Sequence, residues 1–395
     1  MTVEKIDNTA LSSIAKIDNT AKGSISKVSN QSLAATRKRV ALVVGAAGEV
    51  YWSNSSDLTS PSNWTLLDLG TSLHRHVCWG LDDSNKECWI ITTNQTARPM
   101  RIAVGPDADA LSDPWIPSGA GDWNDVKPTS TRDFPGQGYE VHFGSTGSAQ
   151  VPTWMMSCVN NSTYAYYLTG TITDGALWTT VYRGFDSSGT NMAIRGPMWN
   201  RSASAEDSRF VLWMNDSSGD GIWENQTGIG KGDDGDWTKR FPPSAGTNKQ
   251  RGKGGYGEGV WVIPGEGTAE QHLTGSSDAQ TWGDLNAPAL NREMNAVATD
   301  MSGTWIMVGD NGYIWTSSDN ARTWSESRIP STEGGTSYRS IRDIAYDNDG
   351  TWLAVGERSF YVSTNDGTSW TSFDISTSNN RTYQGVCFNV INSAN

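Results

Sequence analysis

Residues 294–327 read MNAVATDMSGTWIMVGDNGYIWTSSDNARTWSES, and residues 341–373 read IRDIAYDNDGTWLAVGERSFYVSTNDGTSWTSF. Aligned, each stretch holds four short apolar runs separated by Asp, Asn and Gly. That is the pattern of four antiparallel strands, a to d, joined by tight turns. One tryptophan opens the second run (Trp305, Trp352) and another stands just before the fourth (Trp324, Trp370). Earlier in the chain Trp64, Trp115, Trp178, Trp237 and Trp282 take the place before strand d, and Trp89, Trp154, Trp213 and Trp261 the place on strand b. A period of roughly 40 to 60 residues containing four short strands predicts a β-propeller, here of seven blades. These tryptophans are read as packing between blades rather than as ligand contacts.

The two ends of the globular part complement each other. The first repeat starts at strand b (residues 40–45, VALVVG) and has no strand a. After the seventh strand d, residues 384–390 (QGVCFNV) form an additional apolar run. Pairing the two removes two open sheet edges. The fold class expected is therefore all-β: a seven-bladed propeller closed by a C-terminal strand that completes the first blade. It spans residues 37–395 and follows an N-terminal arm, residues 1–36.

The arm is built from other material. Its Lys5, Lys16 and Lys27, its Ile6, Ile17 and Val28, and its Ile14 and Ile25 recur every eleven residues. Such spacing suits a right-handed hendecad helix bundle. Its Asp-Asn-Thr cores and Gly23 suit instead an extended thread with a turn in each repeat. In either form the apolar rows are too sparse to fold alone. Ile6, Ile14, Ile17, Ile25 and Val28 are thus expected to bind a partner, and the hendecad form would favour an oligomer.

Composition excludes several function classes. Charged residues are 18% of the chain, glycines number 42 and the net charge is −13. Neither nucleic acid nor an anionic membrane is an attractive partner for such a body. No run approaches the length of a membrane span, and no apolar leader of an export signal is visible at the N-terminus. The cysteines (Cys78, Cys88, Cys158, Cys387) read as small buried residues; Cys78 is expected opposite about Ile91, which argues against a bridge to Cys88. No C-x-x-C or histidine cluster points to a metal, and no cofactor is expected. Asp216, Ser218, Asp220 and Gly221 look like half a calcium loop, but Thr227 stands where the bidentate glutamate is needed.

Two resemblances add to this reading. The strings at 317–324 (SSDNARTW) and 363–370 (STNDGTSW) resemble the Asp-box, or BNR repeat, of sialidases, sortilin-type receptors and photosystem II assembly factors. There the box shapes a turn, so the resemblance implies fold and not activity. The tandem KIDNT repeats of residues 5–20 resemble those at the N-terminus of virion proteins of tailed bacteriophages. This implies a virion protein assembled in a bacterial cytoplasm, docked through its arm onto other virion proteins, with its propeller facing outward.

The expected role is therefore non-enzymatic: a tail, fibre or capsid-appendage component presenting a propeller to a host-surface glycan or protein, or to a neighbouring subunit. The alternative is a sialidase-like glycoside hydrolase. That chemistry needs clustered arginines, and Arg195, Arg251 and Arg342, with Tyr346 nearby, are expected to line the channel. The sialidase-type Arg-Ile-Pro string, however, stands at Arg328, after the sixth turn instead of before the first. The longest connections, 118–138 and 242–257, are expected to follow a strand d and to form a binding face displaying Trp123, Lys249, Arg251 and Lys253.

Overall fold

The computed structural model describes residues 39–107, 115–126, 137–146, 151–159, 165–170, 172–173, 177–178, 181–182, 193–200, 209–215, 221–225, 238–240, 249–250, 252–266, 273–285, 292–332, 335–376 and 381–389. The chain divides into two units, residues 1–38 and 39–395. All described residues belong to the second, so the arm with Ile6, Ile14, Ile17, Ile25 and Val28 lies outside them.

Near-continuous apolar runs such as Trp305–Gly309 and Trp352–Gly356 give the second strand of a blade two buried faces, as sheets stacked on both sides require, whereas the outer strand Ser325–Arg328 is exposed throughout. The strands form seven four-stranded antiparallel blades. The seven inner strands, one per blade and counted from blade 1, are Tyr383–Phe388, His74–Leu81, Gln137–Thr146, Ala193–Asn200, Gly255–Gly257, Met294–Thr299 and Ile341–Tyr346. Blades 3 and 4 run into one another through a single pair, Val159 with Ala193.

The sides of the strands feed successive inter-blade cores. In blade 7, Trp352 and Ala354 pack toward Ile306 and Val308 of blade 6. Leu353 and Val355, on the opposite face, pack toward Tyr51 and Val386 of blade 1. Trp89, Trp154, Trp213, Trp261, Trp305 and Trp352 are all fully buried, as expected of packing residues. The turns before strand d are built by side chains. In blade 6 the amides of Arg322 and Thr323 donate to Asp319 Oδ1 (3.1 and 2.9 Å), the Ala321 amide donates to Ser317 Oγ (3.0 Å), and Trp324 Nε1 donates to the Ala321 carbonyl (3.2 Å). Blade 7 repeats this with Ser363, Asn365, Gly367 and Trp370, and blade 5, one residue shorter, with Ser276, Asp278, Ala279 and Trp282.

Blade 1 is closed as the sequence suggests. Its strand order d-c-b-a joins residues from both ends of the domain, with Ala41 opposite Phe388, Leu42 opposite Cys387 and Val43 opposite Val386. The clasp is dense. Tyr383 is fully buried, with its ring 5.6 Å from that of Tyr51 and 5.2 Å from that of Phe360, and its hydroxyl donates to Glu49 Oε2 at 3.0 Å. Arg381 holds the other oxygen of Glu49 at 2.8 Å. Gly45 passes so close that a Cβ there would stand 2.5 Å from the Thr382 carbonyl oxygen.

Four expectations need correction. Trp123, expected on an exposed connection, opens strand d of blade 2 (Trp123–Val126) and is only 7% exposed. It, and not Trp115, is the repeat tryptophan of that blade; Trp115 packs against the same core from outside. In blade 3 the outer strand is Val181–Tyr182, and Trp178 sits instead in a two-residue ladder opposite Ile172. Cys78 stands opposite Ile90 and not Ile91; Cys88 faces Gly80, and all four cysteines are free.

Because Tyr383 joins blades 1 and 7 from within the closing strand, Tyr383→Ala should cost about 3–5 kcal/mol in urea unfolding. Tyr338→Ala, at a 39% exposed position, should cost under about 1 kcal/mol.

Candidate functional site

Inner strands point alternate side chains toward the channel, and bulges at His74/His76, Gly138/Val141 and Ile341/Asp343 let adjacent residues of blades 2, 3 and 7 reach the same mouth. At one mouth they bring together Arg75 and His76 of blade 2, Tyr139 and Glu140 of blade 3, Asn295 of blade 6, Arg342 and Asp343 of blade 7, and Gln384 of blade 1. Lys253, just ahead of the inner strand of blade 5, reaches the same cavity of about 210 Å³.

The floor of this cavity is an ion pair. Lys253 Nζ donates to both carboxylate oxygens of Asp343, at 3.0 and 3.2 Å. The Asp343 side chain is 2% exposed and that of Lys253 17%. Asp343 also accepts the amides of Ile344 (2.8 Å) and, from the closing strand, Val386 (2.9 Å). Burial alone would lower the Lys253 pKa, but the adjoining carboxylate outweighs it and holds the pKa above the usual lysine value. The backbone of Lys253 also bridges in parallel to blade 6: its amide donates to Asn295 and its carbonyl accepts from Val297. The cation is therefore fixed at both ends.

Beside it the rings of His76 and His142 stack at 5.3 Å, 25° from parallel, and the Val141 amide donates to His76 Nδ1 at 3.4 Å. Burial, together with the charge of Lys253, lowers the pKa of both: His142 to about 3, and His76 well below the ordinary value. Burial and Arg101 likewise lower His74 to about 4. Nearer the mouth, Arg342 pairs with Asp310 at 3.3 Å and with Glu357 at 3.6 Å. Arg75 donates to Gln137 Oε1 at 2.9 Å and lies over the Tyr139 ring at 4.9 Å.

The sequence-derived site residues are thus redistributed. Lys253 does not belong to an exposed loop face; it is a half-buried cation lining the channel. Lys249 pairs through its backbone with Glu266, while its side chain, and Arg251 altogether, lie outside the described residues. Arg342 and Tyr346 do line the channel, whereas the side chain of Arg195 lies outside the described residues. Of the groups that matter here, Glu140, Asp343 and the His76–His142 stack went unnoticed in the sequence. The two histidines are 66 residues apart and give no local signal. The acids fall on inner strands at bulges that break the alternation, so the inner-strand assignment itself is the only sequence signal that could have pointed to them. Among the described residues no three His, Cys, Asp or Glu side chains cluster to hold a metal ion, and no helix is long and apolar enough to cross a membrane.

No protein-family model matches this chain, and no curated protein sequence matches it. Solved structures with a similar chain path include YCF48 bound to D1 peptide (13% identity, 88% of each chain covered, TM-score 0.48). Others are a puromycin hydrolase (12%, 87% of this chain and 55% of that one, TM-score 0.49) and the Dos1 propeller (9%, 85% and 75%, TM-score 0.47). Likeness at this level says nothing about ligand or activity.

Two outcomes follow from the geometry. Lys253→Met leaves the Asp343 carboxylate buried without its cation and should destabilise by about 3–5 kcal/mol, while the pair Lys253→Met with Asp343→Asn, which removes the charge but keeps an oxygen for the Val386 amide, should recover most of that loss in urea titrations. The histidines are neutral in the fold but take up protons near pH 6.5 once unfolded. The unfolded state then binds more protons, and stability falls as pH drops through 6.5. Between pH 7 and pH 5 His74 and His142 should each cost about 2 kcal/mol, His76 should act in the same direction, and His142→Gln should flatten the urea-midpoint profile by one such share.

Proposed function

We propose that the chain is a non-enzymatic structural protein of a tailed-phage particle, docked through residues 1–36 and presenting its propeller for host-surface or neighbouring-subunit binding. The observation that carries this reading is the eleven-residue repeat of Ile6, Ile14, Ile17, Ile25 and Val28 ahead of a separate globular unit. A segment so poor in apolar residues gains order only against a partner, and the repeat resembles the arms of virion proteins. The turns before strand d, with their Ser–Asp–Trp hydrogen bonds, resemble Asp-boxes, and those bonds go to the backbone of the turn itself.

The contact surface on the propeller is better assigned to the channel mouth than to a loop face, because Trp123 and Lys253 are both built into the interior. Half-buried Arg342, Asn295, Gln384 and Tyr139 offer donors, acceptors and an aromatic face at that mouth, a lining suited to the hydroxyls of a glycan or to a peptide backbone. An array of copies would turn weak single contacts into adhesion.

The competing reading, a sialidase-like hydrolase, is favoured by Arg75, Arg342, Tyr139 and Glu140 reaching one cavity. Against it, the Arg342 guanidinium is already shared between Asp310 and Glu357, whereas gripping a substrate carboxylate calls for guanidiniums free to bind it in pairs.

Deleting residues 1–36 should leave a propeller with an unchanged melting midpoint that no longer enters particles. Incorporation of the truncated chain at the level of the full one would end the anchor reading. Arg342→Ala should reduce adsorption of particles to host cells without changing incorporation. Release of sialic acid from a fluorogenic sialoside by the intact chain, abolished by the same variant, would favour the hydrolase instead.

A further inference from the structure

Blade 6 carries two cations on its outside. Arg292, just ahead of the inner strand Met294–Thr299, holds its guanidinium 4.2 Å from the centre of the Tyr313 ring. Arg328, opposite Tyr313 in the ladder to the outer strand, lies 5.0 Å from the same centre and 3.6 Å from that of Tyr338. Tyr313 is stacked at 5.8 Å on the fully buried Trp315, which anchors the series in the blade. Tyr338 rests on the turn ahead of Tyr313, where a Cβ on Gly312 would stand 3.3 Å from its ring, and Arg328 Nε donates to the Asn311 carbonyl of that turn at 2.7 Å. Both arginines are exposed, and so is Tyr338, at 39%. The patch adjoins the channel mouth. Glu293, next to Arg292, lines the mouth cavity, and Asp310, next to Asn311, pairs with Arg342.

Most described arginines pair with a carboxylate. Among the described residues Arg292 and Arg328 make no ion pair, although the chain holds 43 acidic residues against 30 basic ones. A ring face attracts a guanidinium and fixes its position, but it neither cancels the charge nor accepts the N–H groups as a lone pair would. Arg328 uses only its Nε on protein, so the fork of its two terminal nitrogens stays available. Two like charges held beside one ring, with donors unspent, are a surface prepared for an anion.

We infer that this surface binds a carboxylated polysaccharide of the uronate type, with Arg292 and Arg328 taking a sugar carboxylate and Tyr338 covering the apolar face of a sugar ring. The inference deepens the proposed binding role by naming the partner's chemistry, and it rests on that reading. A planar carboxylate meets a guanidinium through two parallel N–H···O bonds, and an exposed tyrosine offers a flat apolar face with a polar tip. An acidic peptide fits less well, because peptide grooves also need apolar pockets for anchoring side chains. Among the described residues the exposed large hydrophobics are Tyr338 and Leu66, and Leu66 belongs to blade 1. The net charge of −13 opposes a polyanion at long range, but salt screens that repulsion beyond about 8 Å at physiological ionic strength. Contact is then decided by the local cations.

The test is equilibrium binding of the purified full-length chain to immobilised polygalacturonate at about 0.15 M salt, beside neutral dextran, dextran sulfate and polyglutamate. Polygalacturonate should bind and dextran should not. Arg328→Gln should weaken binding about tenfold, and Arg292→Gln added to it should abolish the signal. Tyr338→Ala should weaken it severalfold. Arg322→Gln, an exposed side chain on the turn at the other end of strands Tyr313–Ser317 and Ser325–Arg328, should change nothing. Each variant alters an exposed side chain and should keep its melting midpoint, so a loss of binding is not a loss of fold. No binding to polygalacturonate, binding indifferent to Arg328→Gln, or equal affinity for dextran sulfate or polyglutamate would each overturn the inference. The assay uses no particle, so the virion reading fails separately, by incorporation of the chain lacking residues 1–36.

Discussion

The ladder between the first and last strands of the propeller is the constraint on which the rest depends. A ring of sheets has no terminal blade to leave frayed: each face must be covered by the next blade, or an apolar surface opens to water. Blade 1 meets that demand with residues from both ends of the domain. Its inner strand then serves both neighbours, through Tyr383 against Phe360 of blade 7 and Gly385 against His76 of blade 2. Losing the ladder would expose three interfaces at once, so ring closure and global folding are coupled.

The channel solves a second problem of the same ring. The inner strand of blade 5 is only three residues long, so its neighbours gain little backbone pairing from it. Lys253 compensates by bridging to blade 6 through its backbone and to Asp343 of blade 7 through its ammonium. Asp343 in turn accepts the Val386 amide of blade 1. A buried ion pair adds little net stability, because desolvation consumes most of its Coulomb energy. Its contribution is geometric: it admits one arrangement of blades 5, 7 and 1, and it fills the middle of the tube with charge already satisfied. A ligand entering from the Arg342 side meets a floor and not a pore.

How much of this was legible in the sequence follows from the range of each signal. Blade number, strand-b tryptophans and the swapped closing strand are local patterns repeated many times, and the structure has them where the sequence suggests. The exceptions have local causes. Trp115 and Trp123 stand eight residues apart, and only the strand that forms at Trp123–Val126 tells which one caps blade 2. Lys253 sits in a Gly- and Lys-rich stretch that reads as a surface loop, because the following inner strand is too short to show alternation. The pairings of Lys253 with Asp343 and of His76 with His142 join residues of different blades. No spacing along the chain reports them, since they arise from how many blades close the ring and at what stagger.

That difference bears on where function is written in this chain. The propeller's chemistry is largely inward: its ions, histidines and box-like turns serve the ring itself, so the body alone fits many roles. On the proposed reading the arm is the reverse: its isoleucines recur at a spacing suited to a surface other than its own, which makes attachment the more informative half of the proposal.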